Sequence, residues 1–491
     1  MNCLAFDLGA SSGKIFLSKF DGDKLELMEV HKFKNSAIPL SKGLYWDFIN
    51  IWKNLCIGIQ KADLETGKKI QSLGLDTFSN DFSFVDKDGE LLAPVRCYRD
   101  ERTVKYADQI YDKLSPQELY MLSGNQIAPF NTLMQLGAMK AGNKDAILSS
   151  AHKMLFLPDL LAYYITGETI SERTVSSVSQ MYSFKLQDWS EEILSSFGLS
   201  RELFGELTSP CTVSGHSTLA FMKEWGVGGF DFVSVCEHDT ASAFLSSTQE
   251  NSIIISSGTW SLIGCEHHKP IINEYAYRNN IANEGGLPGR HRLIRNVMGS
   301  WLLQQLKSDF ELHGKSYSYN DFESAAVFAK PFEYLIDVDS KEFFSPGNMA
   351  VKIKNKCHAL YGHAPEDMAE IVRCVYDSLS MKYYWGIKKL EKLTGRTFES
   401  INILGGGSKD KLLCQLTANV ANKPVYAGPS DATALGNILS QLIAHGKVKD
   451  IIEGRSLVRQ SYSSDEYIPQ NIGITKEKYE EFIRLNRLDD N

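Results

Sequence analysis

The strongest constraint on the fold is a short pattern that occurs twice. Residues 3–8 are apolar except for Asp7, residues 9–13 are a run of Gly, Ala and Ser, and residues 14–20 alternate as a second strand. Midway along the chain, residues 252–256 are β-rich, Ser257-Gly258-Thr259 is a tight turn, and residues 260–265 form another strand. Two strand–turn–strand openings predict two similar α/β halves. A length of 491 residues agrees, since one hydrophobic core stops growing at ~250–300 residues. The polar run Ser246-Ser247-Thr248-Gln249-Glu250-Asn251 marks the break, dividing the chain into 1–247 and 248–491.

Helices and strands alternate around these openings. Residues 24–33 follow Asp21-Gly22-Asp23 as a third strand, and Ile49, Trp52, Leu55, Cys56 and Ile59 predict a helix over 47–62. A strand is expected at 70–78. In the second half, the expected elements are a long helix at 368–393, a strand at 401–404 and helices at 410–420 and 431–445. The net charge of −8 gives no electrostatic footprint for nucleic acid, and no apolar run reaches the ~18–20 residues of a membrane span. Asp7 interrupts what would be the apolar core of a secretory leader, and the nine cysteines lack CxxC spacing. A cytoplasmic protein with reduced thiols and small-molecule substrates is expected, with no nucleic-acid or membrane partner.

Asp7-Leu8-Gly9-Ala10-Ser11-Ser12-Gly13-Lys14 is not a P-loop, because only three residues separate its glycines and Ile15 follows the lysine. It reads as a hairpin turn whose small residues let backbone N–H groups approach a phosphate, with Asp7 placed to hold a hydrated Mg²⁺. A plain hairpin with a solvated acid is the alternative. Ser256-Ser257-Gly258-Thr259-Trp260 could clamp phosphates from a second side, and Gly405-Gly406-Gly407 could lie against a flat ring such as adenine. In Glu237-His238-Asp239-Thr240, Asp239 is placed either as a general base toward a hydroxyl or as a helix N-cap, with His238 positioning or packing beside it. Asp81 and Asp100 are candidates for sugar hydroxyls. Asn296 and Gln304 join them as polar groups in the apolar stretch 293–306.

Together these motifs resemble the FGGY carbohydrate kinases of the actin-like ATPase superfamily. The resemblance runs nearly end to end, through Tyr98-Arg99-Asp100, Leu157-Pro158-Asp159, His238-Asp239-Thr240-Ala241, Ser257-Gly258-Thr259-Trp260, Asn283-Glu284-Gly285-Gly286 and Leu435-Gly436-Asn437. It implies an α/β fold of two ribonuclease-H-like domains with a catalytic cleft between them, the first binding sugar and the second nucleotide. It further implies that Ala10, Ser11, Ser12, Gly13, Lys14, Thr259, Gln304, Gly405 and Gly406 contact ATP and that Asp7 holds Mg²⁺. Asp239 would accept the proton, and His238, Thr240 and Asn296 would bind a ketose. The implied acceptor is the 1-hydroxyl of a deoxyketohexose, with L-rhamnulose placed ahead of L-fuculose, in a monomer or homodimer. The sequence departs from the family's Trp-Gly-Val-Asp-Phe in having Phe78-Ser79-Asn80-Asp81-Phe82, so Ser79 and Asp81 are expected to influence sugar choice. Lys14 replaces a usual Arg, keeping the charge and losing the planar fork. An actin-like ATPase that uses nucleotide only as a switch would keep the two phosphate turns but need no sugar-facing His-Asp-Thr.

Overall fold

The computed structural model describes residues 1–41, 43–470 and 476–488. The chain forms two compact units. The first contains Met1–Ser246, Glu266–Leu293 and Ala432–Tyr462; the second contains Ser247–Cys265, Ile294–Asp431 and Ser463–Asn491. The chain thus first changes unit between Ser246 and Ser247, and it returns to the first unit twice.

The first unit is built on a six-stranded sheet in the order Thr212–His216, Asp231–Ser234, Ser72–Thr77, Asn2–Leu8, Ser12–Phe20, Leu25–Lys34. The last three form an antiparallel meander, while Asn2–Leu8 and Ser72–Thr77 run parallel, as do Ser72–Thr77 and Asp231–Ser234. The first strand is covered on both faces. Leu4, Phe6 and Leu8 share a core with Ile51, Leu55 and Ile59 of the helix Phe48–Thr66. Cys3 and Ala5, pointing the other way, pack with Leu435, Ile438 and Leu439 of the helix Ala432–Ala444. Two buried faces are why this strand reads as continuous apolar sequence with only Asp7 breaking it. Asp47 starts the first of these helices by accepting the Asn50 N–H at 3.1 Å, and Gly67 ends it with φ 62°.

In the second unit, Ser252–Ser257 pairs antiparallel with Trp260–His267 and parallel with Ser400–Leu404, which is parallel to Val425–Ala427. The helix Met368–Thr394 buries Ile371, Val375 and Leu379, and Asp410 caps the helix Lys411–Ala421 through the Leu413 N–H. Each unit therefore repeats one plan, an antiparallel hairpin leading into parallel strands, as the two openings predicted. All nine cysteines are free thiols. Among the described residues, no helix is long and apolar enough to cross a membrane.

Candidate active site

In the first unit, the expected site residues gather where parallel strands end, the usual ligand edge of an α/β sheet. The strand pairing sets Asp7 beside Lys14 on one neighbour and beside Asp76 on the other. Beyond it, the Gly9 N–H donates to the Ser12 carbonyl at 2.9 Å. Buried Asn35 takes up the outward carbonyls: its N–H donates to Ser11 O at 3.0 Å and its Nδ2 to Gly9 O at 2.9 Å. Among the described residues, no carbonyl accepts the Ala10 or Ser11 N–H, and those donors suit an anion. Gly13 has another duty. A Cβ there would lie 2.3 Å from the Phe33 ring, so packing within the sheet already excludes a side chain.

Asp76 is fully buried; its Oδ2 accepts from Asn437 Nδ2 at 2.6 Å and its Oδ1 has no partner. Burial, with the nearby charges of Asp7 and Asp239, pushes its carboxyl well above the ordinary range. An orphaned carboxylate oxygen next to Asp7 fits a hard cation. Among the described residues, no cluster of three or more His, Cys, Asp or Glu forms a complete cage. Mg²⁺ needs only one or two carboxylates when water and phosphate supply the rest.

Asp239 is the first residue of the helix Asp239–Leu245, and His238 occupies the cap position without a capping bond from its side chain. The N-cap alternative for Asp239 is therefore not what the structure shows. Asp239 Oδ1 accepts the Thr240 N–H at 2.5 Å and the Thr240 hydroxyl at 3.1 Å, and 31% of its side chain stays open to solvent. Burial raises its carboxyl to about 6, against the lowering effect of those bonds and of Arg292. Arg292 pairs with Glu284 at 3.0 Å, and its guanidinium also lies 3.3 Å from His238 Nδ1. Burial and the Arg292 charge hold His238 well below its ordinary value, so it is neutral. A donor at Nδ1 assigns the proton to Nε2, which lies 3.4 Å from Asp239 Oδ1.

The sugar candidates in this unit part company. Thr240 is at the base, and half-buried Ser79 accepts from Asn80 Nδ2 at 3.0 Å, where Asn80 takes φ 77°. Asp81 is buried, and its carboxylate is occupied by protein: Trp46 Nε1 at 2.5 Å, the Tyr98 N–H at 3.1 Å and Gln135 Nε2 at 3.3 Å. It braces the loop that carries Ser79, and the expected sugar contact is not where its hydrogen bonds go. Asp100 likewise accepts the Leu44 and Arg102 N–H groups.

In the second unit, Thr259 and Gln304 meet directly, with Gln304 Nε2 donating to Thr259 Oγ1 at 3.2 Å and to Ser300 Oγ at 2.9 Å. The Gly299 and Ser300 N–H groups bind the Thr259 and Gly258 carbonyls at 3.0 and 2.9 Å, locking the turn to the helix Trp301–Leu312. The glycine turn abuts the same hairpin. Gly405 has φ 76°, and a Cβ on Gly407 would sit 2.1 Å from Ser257 Oγ. Gly406 is exposed and faces open space. Asn296, on the strand His291–Met298, keeps a buried Oδ1 without a partner.

Sequence reasoning named Gly407 only as part of the glycine turn and gave no role to Asn35, Asp76, Asn437, Glu284 and Arg292. Glu284 and Asn437 stood within family motifs, and Asp76 showed as an acid near the end of an expected strand. Asn35 and Arg292 act through partners far away in sequence.

Comparison with known proteins shows the family. Residues 2–246 match the N-terminal domain, and residues 253–445 the C-terminal domain, of the FGGY family of carbohydrate kinases. A rhamnulokinase of Bacteroides thetaiotaomicron is 35% identical over 98% of both chains. One from Bacillus subtilis is 34% identical over 95% of both. A ligand-bound xylulose kinase from Lactobacillus acidophilus shares the fold with a TM-score of 0.82 at 16% identity, covering 99% of this chain and 96% of that one. A Plasmodium falciparum glycerol kinase with ADP superposes with a TM-score of 0.79 at 13% identity, again covering 99% and 96%. The chain belongs to the FGGY family of carbohydrate kinases and is an ATP-dependent sugar kinase.

Proposed function

We propose that this kinase transfers the γ-phosphoryl group of ATP to the 1-hydroxyl of L-rhamnulose, giving ADP and L-rhamnulose 1-phosphate. The sugar is supported by the rhamnulokinases to which the whole chain is similar. The chemistry is carried by one observation, a half-open Asp239 carboxylate held by Thr240 beside a neutral His238. Asp239 takes the hydroxyl proton as the sugar oxygen bonds to the γ-phosphorus and the bond to the β-phosphate oxygen breaks. Phosphoryl transfer otherwise needs mainly positioning and charge neutralisation.

In this reading the amides of Ala10, Ser11 and Ser12, with Gly13 and Lys14, receive phosphate. Thr259, Gln304, Gly405 and Gly406 hold the rest of the nucleotide. Asp7 holds Mg²⁺, with Asp76 beside it; the ion, when bound, neutralises phosphate charge. His238, Thr240, Ser79 and Asn296 orient the ketose, and the orphaned Asn296 Oδ1 is free to accept a sugar hydroxyl. Such an enzyme works in the cytoplasm, where its ATP is.

An ATP-consumption panel over L-rhamnulose, L-fuculose, L-ribulose, D-xylulose and glycerol tests the assignment. The highest kcat/KM is expected on L-rhamnulose. A higher value on any other member of the panel overturns it.

A further inference from the structure

Three carboxyl groups lie together behind the proposed base, and the reaction as described uses none of them. Asp159, Glu172 and Glu237 are all fully buried, and among the described residues none has a cation within ion-pair distance. Burying acids without cations costs stability unless other contacts compensate, so packing alone does not account for the cluster. The hydrogen bonds show its use. Glu172 Oε2 accepts from the Thr174 N–H at 2.8 Å, the Thr174 hydroxyl at 2.5 Å, the Val175 N–H at 3.1 Å and the Glu237 N–H at 3.3 Å. Four donors on one oxygen favour the ionised form of Glu172, against burial, which pushes its carboxyl up to about 7. Burial and the neighbouring carboxylates push Asp159 and Glu237 well above the ordinary range, and both Glu237 carboxyl oxygens and Asp159 Oδ2 lack a hydrogen-bond partner.

Thr174 relays the hold one residue further. Its hydroxyl donates to Glu172 and accepts the His238 N–H at 3.2 Å. From the opposite side, the Thr77 N–H donates to the Glu237 carbonyl at 2.9 Å. The peptide that ends at Asp239 is therefore gripped at two successive N–H groups and at a carbonyl.

We infer that Glu172 and Thr174 are positioning residues that fix the direction of Asp239 by clamping the Glu237 and His238 N–H groups. The inference rests on the proposed role of Asp239, and Thr174 is buried and acts through the peptide that leads to it. Misplacing a reacting group by 1 Å can cost on the order of 10²-fold in rate. Losing the clamp should therefore lower kcat and spare nucleotide binding.

The test compares Thr174→Val, which keeps shape and removes the hydroxyl, with Thr174→Ser, which restores it. Asp239→Asn is measured alongside, on whichever sugar the parent phosphorylates fastest. Thr174→Val should lose about 10–100-fold in kcat with KM for ATP within about twofold, and Thr174→Ser should recover most of the loss. A folded Thr174→Val enzyme with parental kcat overturns the inference, as does equal impairment of the Val and Ser variants. If Thr174→Val fails to fold, Glu172→Gln decides: a fall in kcat at constant KM for ATP supports the clamp, and an unchanged kcat overturns it. Parental activity in Asp239→Asn defeats the base assignment itself. An inactive Asp239→Asn beside a fully active Thr174→Val defeats the clamp alone.

Discussion

Burial lifts the Asp239 carboxyl to about 6, close to working pH, and this has a direct kinetic consequence. A base must be ionised to accept a proton, so kcat/KM for the sugar should rise with pH through about 6 and level off above it. His238, held neutral by burial and Arg292, should add no second limb in that range. A pH–rate profile checks both points, and an acidic limb near 4 would contradict the first. Asp239→Asn should lower kcat by about 10²–10⁴-fold and leave ATP affinity nearly unchanged, as read by calorimetry with a non-hydrolysable analogue. Ser79 bears on choice between sugars. One hydrogen bond contributes about 0.5–1.5 kcal/mol, and 1.4 kcal/mol is tenfold, so Ser79→Gly should shift the L-rhamnulose to L-fuculose ratio of kcat/KM up to about tenfold. The KM for ATP should move less.

Two neighbouring glycines separate packing from binding. Gly407→Ala places a methyl 2.1 Å from Ser257 Oγ, so the hairpin and glycine turn must part; a lower Tm and weaker ATP binding are expected together. Gly406→Ala meets nothing in the protein and should leave Tm unchanged while weakening nucleotide binding. Thermal melts paired with ATP titrations distinguish the two. A similar contact controls the base: a Cβ on Gly436 would lie 1.7 Å from the Ser242 carbonyl, where the helix Ala432–Ala444 crosses Asp239–Leu245. Gly436→Ala should cost roughly 1–3 kcal/mol of stability and lower kcat. The elements that frame the turns were legible from sequence, because strand alternation and the caps Asp47 and Asp410 are local signals, whereas those between residues 79 and 230 were not read. The glycine turns were legible as turns, but which glycine is sterically required was not. Gly13 owes its size to Phe33, and Gly407 owes its size to Ser257, contacts that sequence order does not reveal. Asp81 shows the same limit, since a turn acid looks alike whether it faces a sugar or Trp46.

At the scale of the whole molecule, the expected division at 247/248 omitted two later returns to the first unit, because nothing local in 432–462 shows which sheet it covers. Those returns matter to stability. The core formed by Cys3, Ala5, Phe16, Cys236, Ala241 and Leu245 is completed by Leu435, Ile438, Leu439 and Val458. Gln441 Nε2 also donates to the Leu4 carbonyl at 2.7 Å, and Asn437 satisfies Asp76. A fragment ending at Ser246 should therefore bind the dye ANS and aggregate, whereas one carrying 432–462 through a flexible linker should do both less. Synthesis runs in one direction, so the same packing sets a timetable. Once Ser246 has been made, the first strand must wait about 190 residues for its second cover. At ~5–20 residues per second, that leaves an apolar face uncovered for roughly 10–40 s. The first unit to be translated is thus among the last to close, and its yield in a cell should respond to elongation speed and chaperone supply more than its finished stability suggests.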